Sequence, residues 1–390
     1  MYHTPCMTRR RFMQYAGAGL GAGIAASMLP RSALADLSTP PAEDLAAPNA
    51  LAGEFRRGGM VYRPLGKTGI NVSILCFGSH TDRAYKLAGG IRNVLNAEGQ
   101  ARRDRQISKA LDLGVNILDV YEHEGQWEPL SKLLKPKRDK VIVAGAYDNP
   151  EFIGQNIDRL AKLYGGYIDL YRIRSETVKF DPRLLEQWDV LRRAKEAGKI
   201  RAIGIACHLE GPMMTALQEL EGLDYLMMPY NFIHSKADYA DLLPVAAKKG
   251  VGLIGIKPLA AGSIVMLDPR FISETMPDNP NIMLFNSSPH TRAILPAAVA
   301  ELAKALDQLP DETLPQAAMR FVYSRPFLSS TMTGMFDDQF LMDNYEAIGR
   351  YNQLTAEEHA AFDAARKVTS LTGSRWLHDD YQWLDEQWRA

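Results

Sequence analysis

From residue 72 onward, short apolar runs alternate with amphipathic stretches in a regular beat. Val72 to Phe77, Val115 to Asp119, Val141 to Ala146, Ile168 to Ile173, Ile200 to Ile205, Tyr225 to Met228, Val251 to Ile256 and Ser329 to Thr333 read as eight buried strands. Each is rich in β-branched residues or bounded by Gly, Asp or Pro. Arg103 to Leu113, Pro182 to Ala197 and Lys236 to Lys249 carry the wider spacing of helices with one apolar face. Strand and helix repeated eight times predict an α/β fold with a parallel sheet closed as a (β/α)8 TIM barrel. An open doubly wound sheet would need a glycine-rich turn after its first strand, and Cys76-Phe77-Gly78-Ser79-His80 is not one.

The chain begins differently. Thr8-Arg9-Arg10-Arg11-Phe12-Met13 precedes a weakly apolar run from Tyr15 to Leu29, and Ala33-Leu34-Ala35 supplies small residues for cleavage. This is the grammar of a twin-arginine signal peptide over 1–35, which implies the twin-arginine export machinery as a partner and a periplasmic or otherwise exported protein. The run is too short and glycine-diluted for a stable membrane span, which requires roughly 20 apolar residues. Residues 36–58, rich in Ala, Pro and Gly, read as a flexible tether. The barrel is expected over 59–350 and a C-terminal extension over 351–390. That extension ends in Trp376, His378, Tyr381, Trp383 and Trp388, aromatic enough to dock on the barrel or on a second subunit in a homo-oligomer.

Charge narrows the partners. With 45 Lys and Arg against 46 Asp and Glu, and four of the arginines in the leader, no basic excess remains to hold nucleic acid. A small-molecule substrate is the expected ligand, because residues just past each strand's C-terminal end make the mouth of such a barrel. Here they include His80, Asp119 to Glu124, Ala146-Tyr147-Asp148, Arg174-Ser175-Glu176, Cys207-His208, Tyr230-Asn231 and Lys257-Pro258-Leu259. Cys76 and Cys207 fall on different strands without metal-ligand spacing.

Several strings, in order, resemble the aldo/keto reductase superfamily. Tyr62 to Gly69 is similar to the N-terminal β-hairpin that plugs the barrel bottom, and Gly114 to Asp119 to the second strand with its aspartate. Tyr167 to Tyr171, Gly198 to Gly204, Pro229-Tyr230-Asn231 and Lys257-Pro258-Leu259 resemble the fourth to seventh strands or their ends. Gly334 through Asn344 resembles the segment that holds the adenosine end of the cofactor. The resemblance implies an oxidoreductase using NADP or NAD, with Lys257, Pro258, Leu259, Gly334, Gln339 and Asn344 as the cofactor-binding positions.

The resemblance also implies a catalytic aspartate, tyrosine, lysine and histidine, and here the chain departs. Asp119 stands, but Glu124 holds the tyrosine's place, Ala146 or Gly145 the lysine's and Arg174 the histidine's. Ala206-Cys207 replaces the pair that holds the nicotinamide amide, and no Arg or Lys lies between Gly334 and Asn344 to clamp a 2′-phosphate. The candidate catalytic set is therefore Asp119, Glu124, Arg174, Tyr121 and His208. Glu124 is either an acid or base raised by burial beside Asp119, or a member of an ion network in which Arg174 pairs with both carboxylates. Tyr121, two residues past Asp119 on the same strand face, is the alternative proton donor or a packing residue.

His80, His123, His208 and His234 sit at or beyond strand ends, yet no HxH or HxxxH spacing supports a metal, and none is assigned. Insertions at 81–100 and 263–291 flank the mouth and are long enough to act as lids. Three functions follow: an exported NAD(P)-linked oxidoreductase with an altered proton-transfer set, a non-catalytic reductase-like barrel that binds a ligand or partner, or a carboxylate- or metal-assisted lyase, isomerase or hydrolase.

Overall fold

In the computed structural model the described residues are 53–87, 93–121, 123–147, 151–231, 241–259, 312–352, 354–360 and 362. The leader, the aromatic residues of the far C-terminus and the insertion at 263–291 lie outside them. Eight parallel strands close on themselves: β4 (Leu75–Phe77), β5 (Ile117–Tyr121), β6 (Ile142–Ala146), β7 (Ile168–Arg174), β8 (Ile200–Ala206), β9 (Tyr225–Pro229), β10 (Gly252–Ile256) and β11 (Ser330–Thr333), with β11 returning beside β4. Helices α1 (Ala97–Asp112), α2 (Glu124–Leu134), α3 (Ile153–Leu163), α4 (Pro182–Glu196), α5 (Glu210–Glu219), α6 (Leu242–Lys249), α7 (Leu314–Tyr323) and α8 (Asp338–Glu346) accompany them. The expected TIM barrel is the fold.

The strands hold two cores because their side chains alternate. Ile117, Ile142, Ala144, Leu170, Ala202, Met227 and Ile254 fill the barrel, whereas Leu118, Val143, Tyr171, Ile203 and Met228 pack outward against the helices. Cys76 lies in the inner core and Cys207 in the outer one, and both thiols are free. The helices start where local chemistry directs. The Asn96 and Asp181 side chains accept from Gly99 and Leu184 amides, and Thr313 with Gln316 forms a capping box.

Two boundaries differ from expectation. The apolar run from Val72 to Phe77 is not one strand. Asn71–Ser73 (β3) pairs antiparallel with Met60–Pro64 (β2), and only Leu75–Phe77 enters the barrel. The tether also ends before residue 58. Phe55–Arg57 (β1) pairs with β2, giving a three-stranded sheet beneath the barrel rather than a lone hairpin. Glu54 is the reason this segment is ordered. Its carboxylate takes the Arg63 Nε at 2.5 Å and the Tyr351 hydroxyl, while Arg63 donates to the Tyr323, Arg325 and Leu328 carbonyls at 2.8, 3.0 and 2.7 Å.

The plug reaches close to the barrel strands. Gly66, at φ +52°, lies so near the Gly250 carbonyl and the Gly252 amide that no Cβ fits. The start of the C-terminal extension packs on the same body. Glu358 and Glu312 share the buried Arg320, and the Phe362 ring stands 4.9 Å from that of Phe321.

Candidate functional site

The mouth lies at the C-terminal ends of the strands, and its described polar groups fall into two clusters. One is built on β4, β5 and β7. Asp119 is 3 % exposed and holds the Arg172 guanidinium through both oxygens, at 2.7 and 3.2 Å. Arg172 can reach because Ala144 and Ala146, on the strand between, leave the space empty of side chain. Burial alone would lower its pKa, but the Asp119 carboxylate more than offsets this and raises it. The pair is a neutral, desolvated unit. The Tyr225 phenol lies beside the Arg172 guanidinium, and burial pushes its pKa up.

Above this pair the β5 backbone is bent. The register to β6 slips between Asp119 and Tyr121, and Tyr121 sits at φ +39°, a conformation costly for an aromatic residue. The bulge turns its ring over the Arg172 guanidinium, 5.3 Å from centroid to carbon, and edge-on to His123 at 5.5 Å. His123 is buried with Nδ1 3.1 Å from the Ser79 carbonyl oxygen, and burial and neighbouring His80 hold it down to about 3. His80 stands just past β4, and desolvation by the surrounding protein, with the charge of Lys86 adding to it, holds it down to about 4. Arg103 ties down the segment beneath it, donating to the carbonyls of His80, Gly78 and Ser79 at 2.9, 3.3 and 3.3 Å.

The second cluster is built on β7, β8 and β10. Glu176 accepts from the His208 backbone amide at 2.9 Å and meets the ring Nδ1 at 2.5 Å. One carboxylate therefore fixes both the loop and the imidazole. Burial lowers the His208 pKa against the opposing pull of Glu176, and the charges of Lys257 and Arg174 add to the lowering. Lys257 has φ +54° and is half-buried. Burial pulls its ammonium down to about 8, with Arg174 adding to the effect and Glu176 opposing it. Cys207 is buried in the outer core and its thiol is raised by the same desolvation.

These placements sort the expected residues. Asp119, Tyr121 and His208 stand at the mouth. Glu124 does not join Asp119, because it begins α2 and faces Arg159 of α3 at 3.3 Å. Nor is Arg174 the bridge between two carboxylates. It is exposed at the end of β7 and its charge is felt by His208 and Lys257, while Asp119 is paired by Arg172. Sequence reasoning gave no role to Arg172, although Leu170, Arg172 and Arg174 share one face at period two. It likewise missed Glu176, whose only signal was its place just past β7.

At the adenosine-end segment, Gly334 follows β11 and its missing Cβ faces the Phe336 ring at 3.1 Å. The Gln339 amide is spent on Asp343 at 2.8 Å, and Asn344 is buried with its carbonyl accepting from Tyr323. A cation does reach this segment from elsewhere in the chain. Arg102 of α1 pairs with Asp337 at 2.8 Å, and Asp337 in turn caps α8 through the Gln339 amide. Pro258 is buried and Leu259 half-buried in the turn after β10. Among the described residues no three His, Cys, Asp or Glu stand close enough to hold a metal ion, and no helix is long and apolar enough to cross a membrane.

Comparison with known proteins gives this geometry a context. The model of the aldo/keto reductase family matches residues 89–367. L-galactose dehydrogenase of Arabidopsis thaliana is 24 % identical over 335 residues, covering 80 % of this chain and 97 % of its own. An uncharacterized oxidoreductase, YqkF of Bacillus subtilis, is 21 % identical over 280 residues, covering 67 % and 86 %. Among solved structures, the holo form of aldo-keto reductase AKR11C1 from Bacillus halodurans superposes with a TM-score of 0.58 at 20 % identity, covering 78 % of this chain and 95 % of that one.

Proposed function

Because the chain belongs to the aldo/keto reductase family, we propose that it is an NAD(P)-linked oxidoreductase acting on the carbonyl/alcohol pair of a small molecule, with a proton-transfer set of its own. The observation that supports this best is the turn after β10. There a half-buried ammonium, Lys257, is held on strained backbone with its pKa drawn down to about 8 by burial. Glu176 already acts on this cation, and a further anionic group such as a dinucleotide diphosphate would offset its desolvation more fully. Lys257, Pro258 and Leu259 would take the diphosphate, with Gly334, Gln339 and Asn344 toward the adenosine. When bound, the nicotinamide supplies a two-electron hydride donor or acceptor.

Asp337 favours NAD over NADP. Its carboxylate at the start of α8 already pairs with Arg102, so a 2′-phosphate would meet a negative group and, among the described residues, a guanidinium that is already engaged. The Asp119–Arg172 pair occupies both aspartate oxygens and supplies a fixed, neutral floor beneath Tyr121. The relative named for L-galactose makes that sugar and similar polyols the first substrates to try. The leader supports export by the twin-arginine route to the periplasm. Size measurement on the purified protein tests the homo-oligomer suggested by the aromatic tail.

Titrating the full chain with NADH and with NADPH tests the function. Trp127, whose Nε1 donates to the Tyr121 carbonyl at 3.2 Å, is a reporter beside the site. Quenching of tryptophan emission at micromolar NADH is expected, and no change at millimolar concentrations of either nucleotide would refute the proposal. The binding-only reading draws on the locked Asp119, and any nicotinamide-dependent turnover excludes it. With Glu124 engaged by Arg159, no observation carries the lyase or hydrolase reading.

A further inference from the structure

We infer that His208, oriented by Glu176, is the base that takes the hydroxyl proton from an alcohol substrate, so that the mouth is arranged for the oxidising direction. The inference rests on the proposed nicotinamide-linked function and adds the group that moves the proton. Four observations bring it to this pair.

First, the carboxylate of Glu176 meets Nδ1 at 2.5 Å, which places the ring proton on Nδ1 and leaves the lone pair on Nε2. Second, the same carboxylate accepts from the His208 amide at 2.9 Å, so ring and backbone are fixed together rather than by a flexible side chain. Third, the groups facing the imidazole are Glu176 and Arg174 from β7 and its loop, Cys207 from β8 and Lys257 from β10. Burial, with the two cations adding to it, disfavours the charged ring, while Glu176 stabilises the imidazolium once it forms.

Fourth, the described carboxylates Asp119 and Glu124 and the His123 ring are held by groups of their own. Asp119 is bound by Arg172, Glu124 by Arg159, and the His123 Nδ1 stands at the Ser79 carbonyl. His80 lacks a carboxylate in hydrogen-bond contact among the described residues and is held down to about 4, too weak a base for the task.

The step balances. The alcohol O–H proton passes to His208 Nε2, and its bonding pair forms the new C=O bond. The carbinol C–H would leave as hydride with its two electrons, for which a bound oxidised nicotinamide would be the acceptor. The alcohol is oxidised to a carbonyl and the nicotinamide is reduced. The imidazolium then returns its proton to solvent. His208 is the catalytic residue in this scheme, and Glu176 a positioning residue.

Two measurements on the full chain test it. In nitrogen-15 histidine NMR spectra, His208, assigned by its loss in His208→Asn, is expected as the Nδ1–H tautomer, and Glu176→Gln is expected to shift it. A proton on Nε2 in the parent protein overturns the inference, whether or not a nucleotide binds. With NAD⁺ and L-galactose or cyclohexanol as probes, His208→Asn is expected to lower kcat about 100-fold with NADH affinity unchanged. Glu176→Gln is expected to lower kcat about tenfold and to move the acid limb of the pH profile, with partial rescue in Glu176→Asp. His208→Asn within twofold of the parent also overturns it. Absence of NADH binding removes the proposed function instead, and the tautomer still decides the state of the pair.

Discussion

The two clusters at the mouth contain the same kinds of groups and arrange them to opposite ends. At Asp119 the carboxylate is buried and both of its oxygens are taken by a permanent cation. At Glu176 the carboxylate meets a titratable ring that is 12 % exposed, so the pair can exchange a proton. Burial together with the partner's identity, rather than the presence of a carboxylate, decides which half can do acid–base work. A lysine at residue 146 would belong to the first half. In this chain its charge is supplied from the next strand by Arg172, which restores neutrality but not chemistry.

The largest effect is expected from breaking the locked half. Arg172→Met should cost about 3–5 kcal/mol, because it strands a buried carboxylate, and chemical denaturation measures it. Adding Asp119→Leu should recover most of that loss. If Arg172→Met alone is nearly neutral, the pair is not desolvated and the contrast between the halves fails.

Acid should discriminate next. His123 has a folded-state pKa of about 3, below the ordinary histidine value, so its contribution to stability is complete above about pH 6.5 and is lost as pH falls toward 3. His80 acts in the same direction between about 6.5 and 4. Stability should therefore drop on the order of 2 kcal/mol between pH 7 and 4.5 from His123 alone, and His123→Gln should flatten that slope.

Lys257 sharpens the comparison from the other half. Its ammonium titrates near 8 in the folded protein, so NADH affinity should weaken as pH rises above that value. Lys257→Met should bind NADH about tenfold more weakly, a loss of about 1.4 kcal/mol, and should lack the pH dependence. Affinity that is flat from pH 7 to 10 in the parent protein would detach Lys257 from the cofactor. The smallest effect is expected at Glu124, whose partner Arg159 is half exposed. Glu124→Gln should change stability by less than about 0.5 kcal/mol.

Much of the barrel was legible because each inner strand is an apolar run with a polar end, and the polar ends alone predict a mouth. The break at Ile74 was not, since Val72 and Leu75 are equally apolar and only their different partners, β2 and β11, separate them. Phe55 to Arg57 looked like tether because three residues carry no periodicity; pairing to β2 and the Glu54–Arg63 contact order them. Within the site, Asp119 and His208 could be named from position. Their partners could not, because Arg172 lies 53 residues from Asp119 and Glu176 lies 32 from His208. Spacing along a chain carries no record of which loops converge. Glu124 was misplaced for a related reason: it opens α2 and its partner, Arg159, comes from α3.

Arg63 has a consequence for how the chain comes together. Its carbonyl partners lie 260 to 265 residues downstream, around Tyr323 and Leu328. The base of the barrel is therefore closed by a clasp between the first strands made on the ribosome and nearly the last. Until Leu328 has emerged, Arg63 and Glu54 have no carbonyl ring to fill, and the nascent protein stays open at one end. A premature stop before that point would release an unsealed chain, a substrate for proteases rather than a smaller barrel.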